Sequence, residues 1–498
     1  MGMAPRLPAR ISVESRECDL RLIQHRPGTA YYPERLLGAT IINTVGRGGG
    51  HLLYVTDRPI ADAEQQISYY LALCGADRSA GKRVEPASMH DPSWRWLSHK
   101  LLDPTRAQAR RVRARLSAFR EDMRRAGASV EFSYFEPSRP LEELARSLGL
   151  PVGQASAAHI SLGNKHSGRR LFREAGIRVP VGHDPFHTEE GLARALADLA
   201  RAGHTRAVVK LDSSRFAGGY GQALCDLTTL AAAPSADPGG SVPSPAAALS
   251  AFSAAHLRGT GGHRAEFAED IARFGAVAEA WLGDGTAVRS PSFQGRLTRD
   301  GRVETVSTHE QVFDPHKRTF TGCAFPADAA YRRTVTEYGL RMGRTLLERG
   351  VTQGDYGVDF LAVPGPGTTW QVLGCEVNLR ATATKHAFLT ATGLLGAQAT
   401  TDGRLVVDGG ERVYEASDAL TIDGCEGVRP AQLIDWVTAS PLHYDPRRGS
   451  GVVLHMMSAA AQYGRFGAVA IGTDHRHARR LLDDLRLLVA EHARADGP

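Results

Sequence analysis

Residues Val372 to His386 read VLGCEVNLRATATKH. An apolar strand, Trp370 to Leu373, runs into Glu376, Asn378 and Arg380. Alternate residues of a strand share a face, so these three side chains point the same way. A carboxylate and an amide oxygen are hard ligands, suited to Mg2+ held between protein and phosphates. A guanidinium two residues on reaches a charged oxygen of a reacting group. Upstream, Gly357-Val358-Asp359-Phe360-Leu361 is a second short strand with one carboxylate in an apolar run. Set side by side, the two strands make Asp359, Glu376 and Asn378 a site for a magnesium nucleotide. The plain alternative is a strand end with a solvated polar face, and the rest of the chain must decide.

The chain has 498 residues, enough for roughly two to four domains. Its 42% hydrophobic and 23% charged residues are ordinary for a globular protein. No apolar run reaches the ~20 residues of a membrane span. The start, MGMAPRLPARISVESRECDL, has no apolar core of a secretory signal, so a cytoplasmic protein is expected. Cys18, Cys74, Cys225, Cys323, Cys375 and Cys425 are scattered with no CxxC pair, which fits reduced thiols better than disulfides or zinc. The net charge of +6 is spread out. Its densest segment, Arg106 to Arg125, has helical spacing and reads as a solvated helix face, not a nucleic-acid surface.

In chain order, a tail is expected to end near Gly28. Gly46-Arg47-Gly48-Gly49-Gly50 precedes the strand Leu52 to Val55, so it does not open a helix as a dinucleotide fingerprint would, and reads as a flexible turn. Helices are expected over Ala63 to Leu73, Thr105 to Ala126 and Pro140 to Leu148, with a strand from Val130 to Phe135. Strands alternating with helices give an α/β layer with a mostly parallel sheet, a Rossmann-like domain over residues 28–160. A new unit starts at Ser161-Leu162-Gly163-Asn164-Lys165-His166. Thr188 caps a helix with Glu189 and Glu190 in its first turn. The strand Arg206 to Leu211 carries Lys210 and leads into a loop with Gly218, Gly219 and Gly221. Lysine and close-approaching glycine backbone both suit phosphate. A hairpin turn with a solvated lysine is the other reading. Residues 231–262, rich in Ala, Pro, Ser and Gly, are expected to be a flexible insertion.

Farther on, Ala276 to Leu282 reads as a strand with Glu279 among apolar residues. Arg289 to Leu297 and Val303 to Val312 read as a hairpin turning at Arg299-Asp300-Gly301-Arg302. His316, Lys317 and Arg318 stand in a loop that is either a site for an anionic substrate or simply solvated. Ala329 to Arg349 is an amphipathic helix. A small α+β domain is expected over 425–498, where His443 and His455 read as ordinary packed or surface histidines, with contact to substrate as the other reading.

Taken in order, Gly163-Asn164-Lys165, Val208-Val209-Lys210 with its glycine loop, Val277 to Leu282, Gly357 to Phe360, and Glu376-Val377-Asn378-Leu379-Arg380 resemble the ATP-grasp superfamily. Tyr31-Tyr32-Pro33-Glu34-Arg35, Phe320 to Pro326 and the segment with His455 and Gly467 to Gly472 resemble its pheganomycin-type peptide-ligase branch. The resemblance implies a multidomain α/β and α+β chain. A pre-ATP-grasp Rossmann-like domain precedes an ATP-grasp domain over 161–400 and the small C-terminal domain.

It further implies that Lys165 and Lys210 contact ATP phosphates, and that Gly218, Gly219 and Gly221 close over them. Glu279 and Leu282 would line the adenine pocket. Asp359, Glu376 and Asn378 would hold Mg2+, and Arg380 with Lys210 would face the transferred phosphoryl group. The run Ala381-Thr382-Ala383-Thr384-Lys385-His386 departs from the branch, which has glycine, paired threonines and His-Pro after the arginine. The implied activity is an ATP-dependent carboxylate–amine ligase that forms a peptide bond through an acyl phosphate. The alternatives are another ATP-grasp ligase or carboxylase with a non-peptide acceptor, and a non-catalytic ATP-binding regulator. The partners expected are a small carboxylate and an amine or peptide, with no nucleic acid and no membrane. A homo-oligomer is one option for a state the sequence leaves open.

Overall fold

The N-terminal domain is built on a strand that lies in the expected tail. Pro8–Val13 (β1) buries Ala9, Ile11 and Val13. His51–Thr56 (β2), Val84–Ser88 (β3) and Ser129–Ser133 (β4) join it in a parallel sheet of order β3-β2-β1-β4. The reading of a tail as far as residue 28 is thus corrected. Alternating Ala, Ile and Val over six residues is too short a signal to stand out in sequence. Parallel strands need crossover helices, and Ala63–Leu73 and Ala107–Arg125 supply two of them. The second buries Ala109, Val112, Leu116 and Phe119, and its arginines face outward.

The computed structural model describes residues 7–25, 27–216, 220–231, 252, 256–258, 264–282, 287–313, 320–422 and 424–495. Gly218, Gly219, most of the expected insertion at 231–262, and His316, Lys317 and Arg318 lie outside the described residues. No described helix is long and apolar enough to cross a membrane.

A second sheet contains Gly182–Phe186 (β5), Arg206–Leu211 (β6), Gln222–Asp226 (β7), His256–Arg258 (β8) and Ala276–Ala280 (β9), in the order β5-β9-β6-β7-β8. The helix Glu189–Arg201 packs Leu192, Leu196 and Leu199 into its core. Thr188 caps that helix as expected, its hydroxyl accepting from the Gly191 N–H at 3.1 Å.

The third sheet is the spine of the molecule. It holds Pro291–Leu297 (β10), Val303–Phe313 (β11), Phe320–Phe325 (β12), Gly354–Pro364 (β13), Trp370–Asn378 (β14), Leu405–Val407 (β15), Gly410–Thr421 (β16), Gly451–His455 (β17) and Arg465–Gly472 (β18). Their order is β14-β13-β10-β11-β12-β16-β18-β17, with β15 beside β16. The β10–β11 hairpin turns through Gly301 at φ 79°, as the sequence predicts. The helix Ala329–Glu348 lies close enough that a Cβ on Gly339 would stand 2.2 Å from the Phe293 ring. The C-terminal strands do not make a separate sheet, and their side chains share one core with the N-terminal domain: Tyr54, Ile67 and Tyr70 lie in the same buried cluster as Trp436, Val469 and Leu485.

Candidate active site

A cavity of about 1390 Å3 opens between the second and third sheets and reaches the N-terminal domain. Strands β13 and β14 form one wall. They are adjacent and antiparallel, with Asp359 opposite Glu376 and Gly357 opposite Asn378. Asp359, Glu376, Asn378 and Arg380 all line the cavity. The register shifts between Asp359 and Phe360, where Phe360 pairs with Gly374 and leaves Cys375 as the extra residue of β14. A bulge of this kind re-aims side chains. Here the consecutive residues Cys375 and Glu376 both line the cavity, which regular alternation would forbid.

The charges on this wall are in contention. Burial pushes the Asp359 carboxyl up, and the facing Glu376 carboxylate pushes it further. Burial also works against Glu376, but Lys165 and Arg380 outweigh it and hold that carboxyl below its usual range. Lys165 Nζ donates to Glu376 Oε1 at 2.9 Å and to the Phe216 carbonyl at 3.2 Å. Asn378 Nδ2 and Gln311 Nε2 donate to the two Asp359 oxygens at 3.1 and 2.9 Å. Arg380 donates to Asn378 Oδ1 at 2.8 Å. Burial, then the neighbouring Arg16, lowers Arg380 to about 10.

Among the described residues no three His, Cys, Asp or Glu side chains are grouped to hold a metal by themselves. The wall offers two carboxylates and one amide oxygen. That partial, all-oxygen set fits Mg2+, which completes its shell with water and phosphate oxygens. The mutual repulsion of Asp359 and Glu376 is what a divalent cation would relieve.

The opposite wall comes from β6 and β9. Lys210 Nζ donates to Glu279 Oε2 at 2.5 Å and lies 3.8 Å from Cys375 Sγ. Burial opposes its charge, but Cys375, Glu279 and Glu376 together keep it firmly protonated. Glu279 also accepts from Arg169. Leu282, Trp281 and Val208 line the same side. Lys165 reaches Glu376 without itself lining the cavity. Gly221 has φ 72° and packs against Phe216 behind the wall.

Sequence reasoning missed several lining residues. Gln311 and Cys375 sit on strands but carry no distinctive signal. Arg16 and Phe135 belong to stretches read without chemistry, and Asp418 lies in β16. Arg35 was visible only as part of Tyr31 to Arg35. Lys385, which breaks the branch pattern, does not line the cavity. Its ammonium pairs with Asp355 at 2.7 Å, beside Arg296 at 2.8 Å, while Thr382, Ala383 and Thr384 line the cavity.

The cleft between these walls is that of an ATP-grasp fold. The fold matches N5-carboxyaminoimidazole ribonucleotide synthetase from Thermus thermophilus, with TM-score 0.51 and 16% identity, over 97% of this chain and 98% of that one. It also matches biotin carboxylase from Campylobacter jejuni, solved as a β-γ-ATP complex, with TM-score 0.52 and 12% identity, over 98% and 95% of the two chains. In sequence, 341 residues are 31% identical to the L-propargylglycine–L-glutamate ligase of Streptantibioticus cattleyicolor. That match covers 68% of this chain and 65% of the relative, just under two thirds of the relative's length. Residues 432–485 match the family model described as the PGM1 C-terminal domain.

Proposed function

We propose that the protein is an ATP-dependent carboxylate–amine ligase that forms a peptide bond. One observation carries this reading: the Asp359, Glu376, Asn378 and Arg380 wall faces the Lys210 and Glu279 wall across one cavity large enough for a nucleotide and two small substrates. The named relative joins two amino acids, which supports amino-acid substrates for this chain.

A carboxylate is a poor electrophile. In the first step its oxygen attacks the γ-phosphorus of ATP, the bond to the bridging oxygen breaks, and ADP leaves. In the second step the amine nitrogen attacks the acyl carbon, phosphate departs, and the nitrogen loses a proton. The first step needs positioning and charge neutralisation more than acid–base chemistry. Lys210 meets phosphate oxygens, and Arg380 meets the transferred phosphoryl and the acid. Asp359, Glu376 and Asn378 would hold Mg2+, which neutralises phosphate charge when bound. Glu279 fixes the Lys210 ammonium at the wall. Water must be kept from the acyl phosphate, which it would hydrolyse.

The test is phosphate release from Mg-ATP against a panel of amino acids, with and without amine or peptide acceptors. Release that needs both partners and is lost in Glu376→Ala is expected. Binding of ATP without release under any pairing would favour a nucleotide-binding regulator, and no ATP binding would end the assignment.

A further inference from the structure

The carboxylate wall is steadied from a strand that carries none of its ligands. In the sheet, β10 lies between β13 and β11. Asp359 pairs with Ser292 on β10, and Ser292 pairs with His309 on β11. Gln311 stands two residues past His309, so it shares that face of the sheet. Its side chain is long enough to cross β10, and its Nε2 donates to Asp359 Oδ1 at 2.9 Å.

An amide can offer a neighbour its nitrogen or its oxygen, and an ionised carboxylate only accepts. Ser290, just ahead of β10, fixes the choice. Its hydroxyl donates to Gln311 Oε1 at 2.8 Å, and its carbonyl accepts the Gln311 N–H at 3.0 Å. Ser290, Gln311 and Asp359 all line the cavity. Asp359 Oδ2 accepts from Asn378 Nδ2 at 3.1 Å, so each carboxylate oxygen takes one N–H and keeps a second lone pair. Asn378 is a candidate metal ligand through its own oxygen. Gln311 has its oxygen committed to Ser290 and turns only a donor to the site, so it orients a ligand without being one.

We propose that Gln311, locked by Ser290, is a positioning residue for the metal site. It fixes the rotation of the Asp359 carboxylate beside Glu376 and Asn378, and so sets how tightly a divalent cation is held there. Hydrogen-bonded partners of ligating carboxylates act in this way. This deepens the ligase reading and rests on its metal assignment. Glu376, Arg380 and Lys165 supply the charges around Asp359. Gln311 is neutral, so replacing it leaves every one of those charges in place and changes only the orientation of the ligand.

The experiment counts bound metal. Mn2+ is titrated into the full-length protein with equimolar ADP, and free Mn2+ is read by electron paramagnetic resonance. Calorimetry with a chelator present reads ADP binding without metal. Gln311→Leu should weaken Mn2+ binding by roughly 10- to 100-fold and leave metal-free ADP binding unchanged. Ser290→Ala should weaken Mn2+ by less, and should add nothing to Gln311→Leu, because it acts through the same amide. An unchanged Mn2+ affinity in Gln311→Leu overturns the proposal. So does an equal loss of ADP affinity with and without metal, which would make Gln311 a nucleotide or packing contact. Should Gln311→Leu fail to fold, the Mn2+ titration of Ser290→Ala decides. No Mn2+ binding by the unaltered protein with ADP overturns the metal assignment and the proposal with it. Phosphate release is not read, so the ligase reading can fail while the Mn2+ result stands.

Discussion

Lys165 and Lys210 are both buried lysines beside carboxylates, yet they do different work. Lys210 shares Glu279 with Arg169, so its loss leaves that carboxylate still paired. Lys210→Ala should therefore fold well and lose roughly 100- to 1000-fold in kcat, the cost of one removed electrostatic stabiliser, as phosphate-release kinetics will show. Lys165→Met leaves Glu376 facing Asp359 with less compensation. It should lower the Tm, with an underlying loss of about 3–5 kcal/mol, and Mg-ADP should recover part of it. A thermal melt that Mg-ADP does not shift would contradict the metal assignment. Three other titrating residues are buried neutral. Burial lowers His309 and His455 to about 3, and burial with the His455 ring 4.3 Å away lowers His386. Unfolded histidine titrates near 6.5, so below that pH the unfolded chain binds protons that the folded one refuses. Stability should fall as pH drops from about 6.5 toward 3, by about 1.4 kcal/mol per pH unit for each histidine. Denaturant melts at pH 6 and pH 4.5 measure this slope, and His455→Asn should remove about one histidine's share.

Among elements, the helix Lys165–Glu174 and β14 are coupled at one glycine. A Cβ on Gly374 would stand 2.4 Å from the Phe172 ring, and Gly374 adjoins the bulge that turns Cys375 and Glu376 into the cavity. Gly374→Ala should cost about 1–3 kcal/mol by overpacking, and should also raise the KM for ATP because the displaced helix carries Lys165. Unchanged ATP kinetics with a lowered Tm would separate the packing from the site. Much at this scale was legible. The strand Arg206–Leu211, the helix Ala63–Leu73 and the Thr188 cap follow from apolar period and local hydrogen bonding, which the nearest residues decide. The bulge was not legible, since it exists only relative to the partner strand β13. The strand β1 was missed for a related reason: its few alternating apolar residues gain meaning only between β2 and β4.

At the level of the whole molecule, the two ends of the chain stabilise each other. Leu485 and Val469 lie in one buried cluster with Tyr54 and Ile67. Leu485→Ala should cost about 2–5 kcal/mol and should speed amide hydrogen exchange in β2 as well as in β18. Faster exchange confined to β18 would mean independent cores. The cavity is equally a product of the whole chain, since Arg35 meets Asp418 across 383 positions and Arg16 meets Glu136 across 120.

The sequence by itself determined the periodicities that make strands and helices, and the ordered lysines, carboxylates, amide and arginine of the proposed magnesium-nucleotide site. Those are local patterns, set by the alternation of a strand and the chemistry of each side chain. Only the tertiary structure decided that Lys165 neutralises Glu376 from behind the wall, that Lys385 turns away to Asp355, and that Arg16 and Arg35 gather at Phe135 with Asp418 paired to Arg35. Pairings across hundreds of residues depend on which strands lie side by side, and burial alone settles which charges must find each other there.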